Sequence, residues 1–333
     1  MPTRRAAHQA SLLPSGEVLI TGGCTTEGCG AIQRTADLFD PLNDTFRAAS
    51  PMAVPRASHV GAGLRDGRVL IAGGWTGSAA LASAEIYDPT TGRFSALAAM
   101  GDARISPAAT LLRDGRVLVT GGEDQVGSAL ASAEIFDPVS ERFSAVGPML
   151  SRRMSHVAIP LADGRVLVAG GRAGRGEVLR SAEIFDPATG RFEPAGEMRV
   201  ARHKHAAVRL DNGSAFIVGG SDVRDFRGRH ASTEVYDPAT GRFTAGPEMQ
   251  AMRHKIRDAV VVLRSGLVVV AGGATRPELY DHRARRFVSS VGELGGLPMF
   301  ATATLLRTGD VVLLGGYDER IRPSASVWRL LAP

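Results

Sequence analysis

The chain is poor in aromatics, in lysine and in cysteine, and it contains no long hydrophobic run. Of 333 residues only 5% are aromatic, two are lysine against 37 arginines, and two are cysteine. No apolar stretch approaches the ~20 residues that span a bilayer. The start, Met1-Pro2-Thr3-Arg4-Arg5, has no apolar core behind its charges, so the chain as written reads as soluble and unexported. Its compartment stays open, and is extracytoplasmic if a signal peptide lies upstream. Two cysteines are too few for a structural zinc site, which takes four ligands. Cys24 and Cys29 share one loop, where they form a small disulfide in an exported protein and stay thiols in the cytosol. The net charge of +5 is mild, forms no like-charged tail, and lacks the stacking aromatics of a single-stranded nucleic-acid groove, so nucleic acid is disfavoured as a partner.

What is abundant is glycine, 40 residues, in a chain 44% apolar and therefore not disordered. The glycines carry a period. A doublet follows a short apolar run at Gly22-Gly23, Gly73-Gly74, Gly121-Gly122, Gly170-Gly171, Gly219-Gly220, Gly272-Gly273 and Gly315-Gly316. Nine residues before each doublet stands a leucine, from Leu13 to Leu306. Just after it comes a turn pair such as Asp66-Gly67 or Asn212-Gly213, a strong hairpin signal, read as a turn with positive φ at both central residues. A third strand follows, as in Ala84-Glu85-Ile86-Tyr87-Asp88-Pro89, and six residues beyond its aspartate a phenylalanine marks a fourth. Four short strands per repeat without helical periodicity is the pattern of a propeller blade, with the Ala/Thr/Gly-rich first strand innermost. The fold class is thus all-β, a seven-bladed β-propeller forming one domain over 1–333. The blades run roughly over 1–51, 52–99, 100–148, 149–197, 198–248, 249–297 and 298–333. The seventh repeat runs out at Trp328-Arg329-Leu330, so blade seven is expected to lack its outer strand and to close by packing on blade one.

The residues resemble the Kelch family over essentially the whole chain. The second repeat shows the pattern: Arg56-Ala57-Ser58-His59, Gly73-Gly74, Glu85-Ile86-Tyr87-Asp88-Pro89 and Phe94. The wording of the middle repeats is similar to bacterial Kelch-repeat proteins. The chain departs from many members in using Phe for the distal Trp.

Two positional sets look functional and have a structural explanation beside them. Arg5, Arg56, Arg104, Arg153, Arg202 and Lys255, broken by Pro298, would ring the axial channel with positive charge. As members of the repeat they would instead pair with neighbouring blades or with backbone carbonyls, the preferred reading for most of them. Three positions on stand His8, His59, His156 and His205, with Pro107, Asp258 and Ala301 in the other repeats. Blade spacing argues against one shared metal, whose ligands must converge within about 2.2 Å of it. Departures from the repeat say more. Arg202-His203-Lys204-His205 and Arg253-His254-Lys255-Ile256-Arg257-Asp258 contain both lysines, and place a candidate ligand site between blades five and six. Loops differ from blade to blade at Trp75, Glu123-Asp124, Arg172 to Arg175, Asp222 to Arg229 and Tyr317-Asp318, with Trp75 the best single aromatic anchor.

The leading functional expectation is a non-catalytic, monomeric binding module for a protein, peptide or acidic-sugar ligand on the loop face. Its candidate residues are Arg202, His203, Lys204, His205, His254, Lys255, Arg257, Asp258, Trp75, Arg56 and Arg153, and no metal or cofactor is assigned. The alternative is a carbohydrate-active enzyme similar to sialic-acid epimerases. Less favoured is one similar to galactose oxidase, whose copper-radical chemistry needs Tyr and His ligands and a Cys–Tyr cross-link. Tyr87, Tyr236 and Tyr280 hold a repeat position and are expected in the core, which leaves Tyr317.

Overall fold

The computed structural model describes residues 1–174, 176–289 and 292–331. They form seven antiparallel sheets around one axis, six of four strands and a seventh of three, with strands following chain order from the centre outward, and a two-stranded ribbon, Arg172–Gly174 with Glu177–Val178, in the loop of blade four. Blade two is representative, with strands Val60–Gly63, Val69–Ala72, Ala84–Asp88 and Arg93–Ala96. Blade seven has Thr302–Leu305, Val311–Leu314 and Val327–Leu330, so the described residues bear out a blade short of its outer strand. No helix among the described residues is long and apolar enough to cross a membrane.

Composition explains each strand's place. The first strands neighbour one another in a closed circle, blade one against blade seven, and small residues such as Gly61 and Ala62 let them crowd the axis. Second strands such as Val69–Ala72 are buried at every position, because a neighbouring blade covers each face. The outer strands, such as Arg93–Ala96, are largely exposed. The apolar core is accordingly a series of inter-blade clusters. Leu19 and Leu38 of blade one meet Ile71 and Tyr87 of blade two, and Val312 and Leu314 of blade seven meet Val18 and Phe39 of blade one.

The hairpin turns differ from expectation in one respect. Gly67 has φ of 90°, but Asp66 before it does not adopt positive φ. Gly67 N–H donates to Leu64 O (3.1 Å) and Leu64 N–H to Arg68 O (2.8 Å). A type I turn closed by a left-handed glycine fits this pattern, so only the glycine needs the unusual backbone.

The glycine doublets and the repeat arginines belong to one device. Arg56 Nη1 donates to Gly73 O (2.8 Å) and Ser83 O (3.1 Å), and Nη2 to Glu85 Oε1 (2.8 Å). Glu85 also accepts from Ala53 N–H (2.7 Å). The next glycine, Gly74, donates its N–H to the backbone carbonyl of Arg104 in the following blade (2.7 Å). The doublet has no room for side chains: a Cβ on Gly22 would lie 2.2 Å from Arg56 O. The lock recurs as Arg5–Asp37, Arg104–Glu134, Arg153–Glu183, Arg202–Glu234 and Arg253–Glu278 at 2.5–2.9 Å, each guanidinium fully enclosed.

Two register expectations for blade six are corrected. Arg253, not Lys255, is its lock arginine, four residues after Met249 as Arg202 is after Met198. The position of the repeat histidine is then Ile256, not Asp258: Ile256 packs on Gly219 as His59 does on Gly22. Blade seven carries Pro298 at the arginine position, and its carbonyl still accepts from Gly273 N–H (3.1 Å). Closure onto blade one uses the same bonds, Gly316 N–H to Arg5 O (2.8 Å) and Arg5 N–H to Ser324 O (2.9 Å).

Breaking one member of a buried pair leaves the other charge stranded and costs about 3–5 kcal/mol. Arg153→Met is expected to lose about that much in urea unfolding, and Arg153→Met with Glu183→Leu less than the two single changes added. Additive losses would show that the pair is not coupled.

Candidate functional site

On the loop face the axial channel opens through a ring of one residue per blade: Ala7, Ser58, Ser106, Ser155, Lys204, Lys255 and Phe300. All seven adopt left-handed backbone, φ 51–56°, although none is glycine. The ring is laced by its own backbone: Ser58 N–H donates to Ala7 O, Ser106 to Ser58, Lys204 to Ser155, Lys255 to Lys204, Phe300 to Lys255 and Ala7 to Phe300, at 2.7–3.2 Å. A left-handed non-glycine residue costs energy and persists only where its surroundings impose it. Here six such bonds hold the ring, the step from Ser106 to Ser155 being the one without a bond, and each side chain is delivered to the mouth.

The ring is asymmetric in chemistry. Blades one to four contribute alanine or serine, and blades five to seven contribute Lys204, Lys255 and Phe300. Asp225, on the short turn Asp225–Gly228 of blade five's loop, sits between the lysines. Its Oδ2 is 2.8 Å from Lys204 Nζ and 3.9 Å from Lys255 Nζ, and its Oδ1 is 3.4 Å from His254 Nε2. Lys255 Nζ lies 5.3 Å from the Tyr317 ring centre and 5.8 Å from that of Phe300. Burial lowers the ammonium pKa of Lys255, and repulsion from Lys204 adds to this against the pull of Asp225. Burial works against ionisation of Asp225, but the Lys204 hydrogen bond and the lysine charges hold its carboxyl below the usual range. Burial and the Lys255 charge keep His254 neutral.

The floor of the mouth is an insertion. In blade five Ala206 follows His205 directly. In blade six Arg257 and Asp258 intervene between Ile256 and Ala259, in a turn closed by Ala259 N–H to Ile256 O (2.9 Å). The two extra residues reach across the axis. Arg257 Nη1 donates to Pro107 O in blade three (2.6 Å), and Asp258 Oδ2 accepts from Gln9 Nε2 in blade one (3.2 Å). Below them lies a channel segment of about 150 Å³ walled by first strands such as Val60–Gly63 and Ala108–Leu111.

The structure therefore gathers Lys204, His254, Lys255, Arg257 and Asp258 at or around one opening. It places the other candidates elsewhere. Arg56, Arg153 and Arg202 are enclosed in their locks. His203 is buried against Ser221 Oγ (3.1 Å), and burial with the nearby Lys204 charge pushes it down to about 4. Trp75 is half-buried, its backbone bridged to Ala57 and Ala80. Arg175 lies outside the described residues. His8, His59 and His156 bond Thr302, Thr21 and Thr120 of the adjacent blade (2.8–2.9 Å). His205 faces Ala169 at the corresponding place, and neither ring nitrogen has a partner among the described residues. Sequence reasoning missed Asp225, Phe300, the left-handed ring and the channel floor. Cys24 and Cys29 form a disulfide, and Cys24 packs in one cluster with Tyr317 beneath the mouth.

A family profile described as the Kelch motif matches residues 56–101, 104–150, 153–199 and 202–250, more than half of the chain. The chain belongs to the Kelch-repeat family. The matched segments are blades two to five; blade one carries Asp37 in its lock, blade six the insertion, and blade seven no lock at all. No curated protein matches the chain by sequence. Among solved structures, it is similar to a fungal alcohol oxidase of the AA5 family in complex with copper, at 18% identity and a TM-score of 0.74, over 95% of this chain and 70% of that one. It is also similar to YjhT, at 11% identity and a TM-score of 0.66, over 98% and 95% of the two chains. At such identities the likeness concerns the fold alone. The residues here do not fit a copper–tyrosine centre. Tyr87, Tyr236 and Tyr280 are buried in the blades, Tyr317 stands against Lys255 (5.3 Å from Nζ to its ring centre), and Cys24 is tied to Cys29, so neither thiol is free for a cross-link. Among the described residues no three His, Cys, Asp or Glu side chains group as metal ligands.

The ring of buried histidines makes stability depend on pH. Burial, with the Arg5 charge, pushes His8 down to about 3, and burial holds His59, His156 and His205 well below 6.5. A histidine kept neutral by the fold contributes its stability in full above about 6.5, and loses it as pH falls from there toward the folded value. His205→Ile copies blade six's own solution. It should leave stability at pH 7 unchanged or higher, and flatten the loss between pH 6.5 and 4 by up to about 1.4 kcal/mol per pH unit. Urea midpoints across that range check this, and parallel wild-type and variant curves would refute it.

Proposed function

We propose that the protein is a binding module whose ligand presents a carboxylate, an acidic sugar or an acidic peptide group, to the channel mouth over blades five to seven. The observation behind this reading is the convergence of both lysines of the chain on one opening with a single carboxylate between them. Lys204 is engaged by Asp225. Among the described residues no acceptor lies within hydrogen-bond reach of Lys255 Nζ, whose side chain is 12% exposed and bordered by Phe300 and Tyr317. An ammonium with free donors beside an aromatic wall suits a carboxylate on an otherwise amphipathic ligand. The Arg257–Asp258 floor blocks passage along the axis, so such a ligand enters from the loop face.

A second reading is favoured by the enclosure of Lys255, 12% exposed between two rings, where burial and the nearby Lys204 charge favour the neutral amine. A lysine deprotonated more readily than usual can take a proton from a bound sugar acid, which would make the module a propeller enzyme.

Calorimetric titration with a hexuronic acid, a sialic acid and their neutral counterparts tests the first reading. The acids should bind and the neutral sugars should not, with affinity falling as salt rises. Lys255→Met should weaken binding about tenfold or more, the worth of one charge-assisted hydrogen bond. Equal binding of neutral sugars, or no effect of Lys255→Met, would refute it. Proton exchange or anomer interconversion of the bound acid, seen by NMR and lost with Lys255→Met, would select the second reading.

A further inference from the structure

Blade seven lacks both halves of the lock that closes the other six. Pro298 stands where the arginine should be, shown by its carbonyl accepting from Gly273 N–H as Arg56 O accepts from Gly23 N–H. Trp328 stands where the carboxylate should be. It pairs with Leu313 in the register that sets Glu85 opposite Ile71 and Asp37 opposite Ile20. The acceptors of the missing guanidinium are still there. In blades one to five Nη1 donates to the first glycine's carbonyl and to that of the Thr or Ser two residues before the carboxylate, as with Gly22 and Thr35 or Gly73 and Ser83. The counterparts in blade seven are Gly315 O and Ser326 O, and Gly315 N–H bonds Ser326 O (3.0 Å) as Gly22 N–H bonds Thr35 O (3.1 Å). Among the described residues no side chain donates to Gly315 O. In place of the enclosed guanidinium there is an open cleft of about 560 Å³, lined by Pro298, Gly315, Ser326 and Trp328 along the connection 294–298.

We infer that this cleft is a binding site for a guanidinium group, the exposed arginine side chain of a partner protein or peptide. The fold itself is the template, since six copies of the same slot are filled by arginine. The carbonyls of Gly315 and Ser326 accept from the incoming guanidinium as their counterparts do. Trp328 replaces the carboxylate with an aromatic face, on which a planar guanidinium stacks more readily than an ammonium does. Of the charges at the rim, Asp318 and Arg322 pair with each other (2.5 Å), the Met1 ammonium donates to Ala325 O (2.6 Å), and Arg4 is exposed to solvent, where its repulsion is screened. The site shares Tyr317 with the mouth but takes none of its acceptors from it, and Lys255→Met should leave it unchanged.

The test uses the full chain carrying Trp75→Phe, so that Trp328 is the sole tryptophan, titrated with N-acetylarginine amide and with N-acetyllysine amide. Saturable quenching by the arginine compound, at least about tenfold tighter than by the lysine compound, is expected. Pro298→Arg places the chain's own guanidinium in the slot while keeping the reporter, and should abolish the response. Ser326→Leu, an exposed change that blocks the cleft without altering strand pairing, should abolish it as well. No saturable response, equal response to the lysine compound, or undiminished binding in the folded blocking variants would overturn the inference.

Discussion

The propeller depends on a buried arginine that serves two blades at once. Its guanidinium fastens the glycine doublet of its own blade to the third-strand carboxylate, as Arg104 does with Gly121 O (2.9 Å) and Glu134 (2.8 Å). Its backbone carbonyl takes the N–H of the second glycine of the blade before, as Arg104 O takes Gly74 N–H. Enclosing both charges is costly, and attraction alone does not repay it unless the remaining donors and acceptors are also satisfied. That is the role of the neighbouring carbonyls, of the serine or threonine before the carboxylate, and of the backbone N–H groups such as those of Leu150 and Ser151, which bond Glu183 (2.7 and 2.9 Å); the Nε of Arg5, Arg56, Arg104, Arg153 and Arg202 is left without a partner among the described residues. The doublet has to be glycine because a Cβ on the first would collide with the next arginine's carbonyl, and one on the second with a carbonyl of its own blade, as Gly74 with Ala57 O (2.7 Å). Most of what repeats in the sequence is the set of parts for this one joint.

This explains what could be read from the sequence and what could not. Blade number, strand order and the short seventh blade are legible because every joint repeats its glycines, hairpin turn and Glu-aliphatic-aromatic-Asp strand. Blade six was misaligned at Lys255 because two residues inserted after Ile256 disturb the spacing on one side of the arginine. The spacing on the other side, from Met249 to Arg253, is intact and carried the right register. The left-handed ring has no signature, since Ala7, Ser58, Lys204 and Phe300 are not residues that announce positive φ. It is held by six hydrogen bonds whose partners lie a whole blade apart. The cysteine spacing allows either thiols or a bridge, and only the loop geometry pairs Cys24 with Cys29.

The candidate site follows the same division. Arg56, Arg153 and Arg202 are used up by the joint, as the preferred reading of them as repeat residues supposed. Lys204, His254, Lys255, Arg257 and Asp258 depart from the repeat, and these the structure gathers. Asp225 could not be linked to them from sequence, because it comes from a loop that differs in every blade, nor Phe300, because it stands in the repeat that lacks the arginine.

A ring of identical joints is symmetric, and a symmetric opening presents one chemistry seven times. Selective recognition needs that equivalence broken without loosening the circle. The chain does this at positions the joint does not use: the left-handed ring residue, the loop after the doublet, and the two-residue insertion at the inner end of a first strand. Each can change freely, because the ring residue is held by its backbone and the insertion adds to a strand whose pairing resumes at Val260. In blade seven the break reaches the joint itself, and there both partners differ, Pro298 for the arginine and Trp328 for the carboxylate. Either change alone would have left an unpaired buried charge, whereas Pro298 with Trp328 leaves none. Blade seven remains tied to blade one through Gly316 and Arg5, so the circle holds while its own slot stands open.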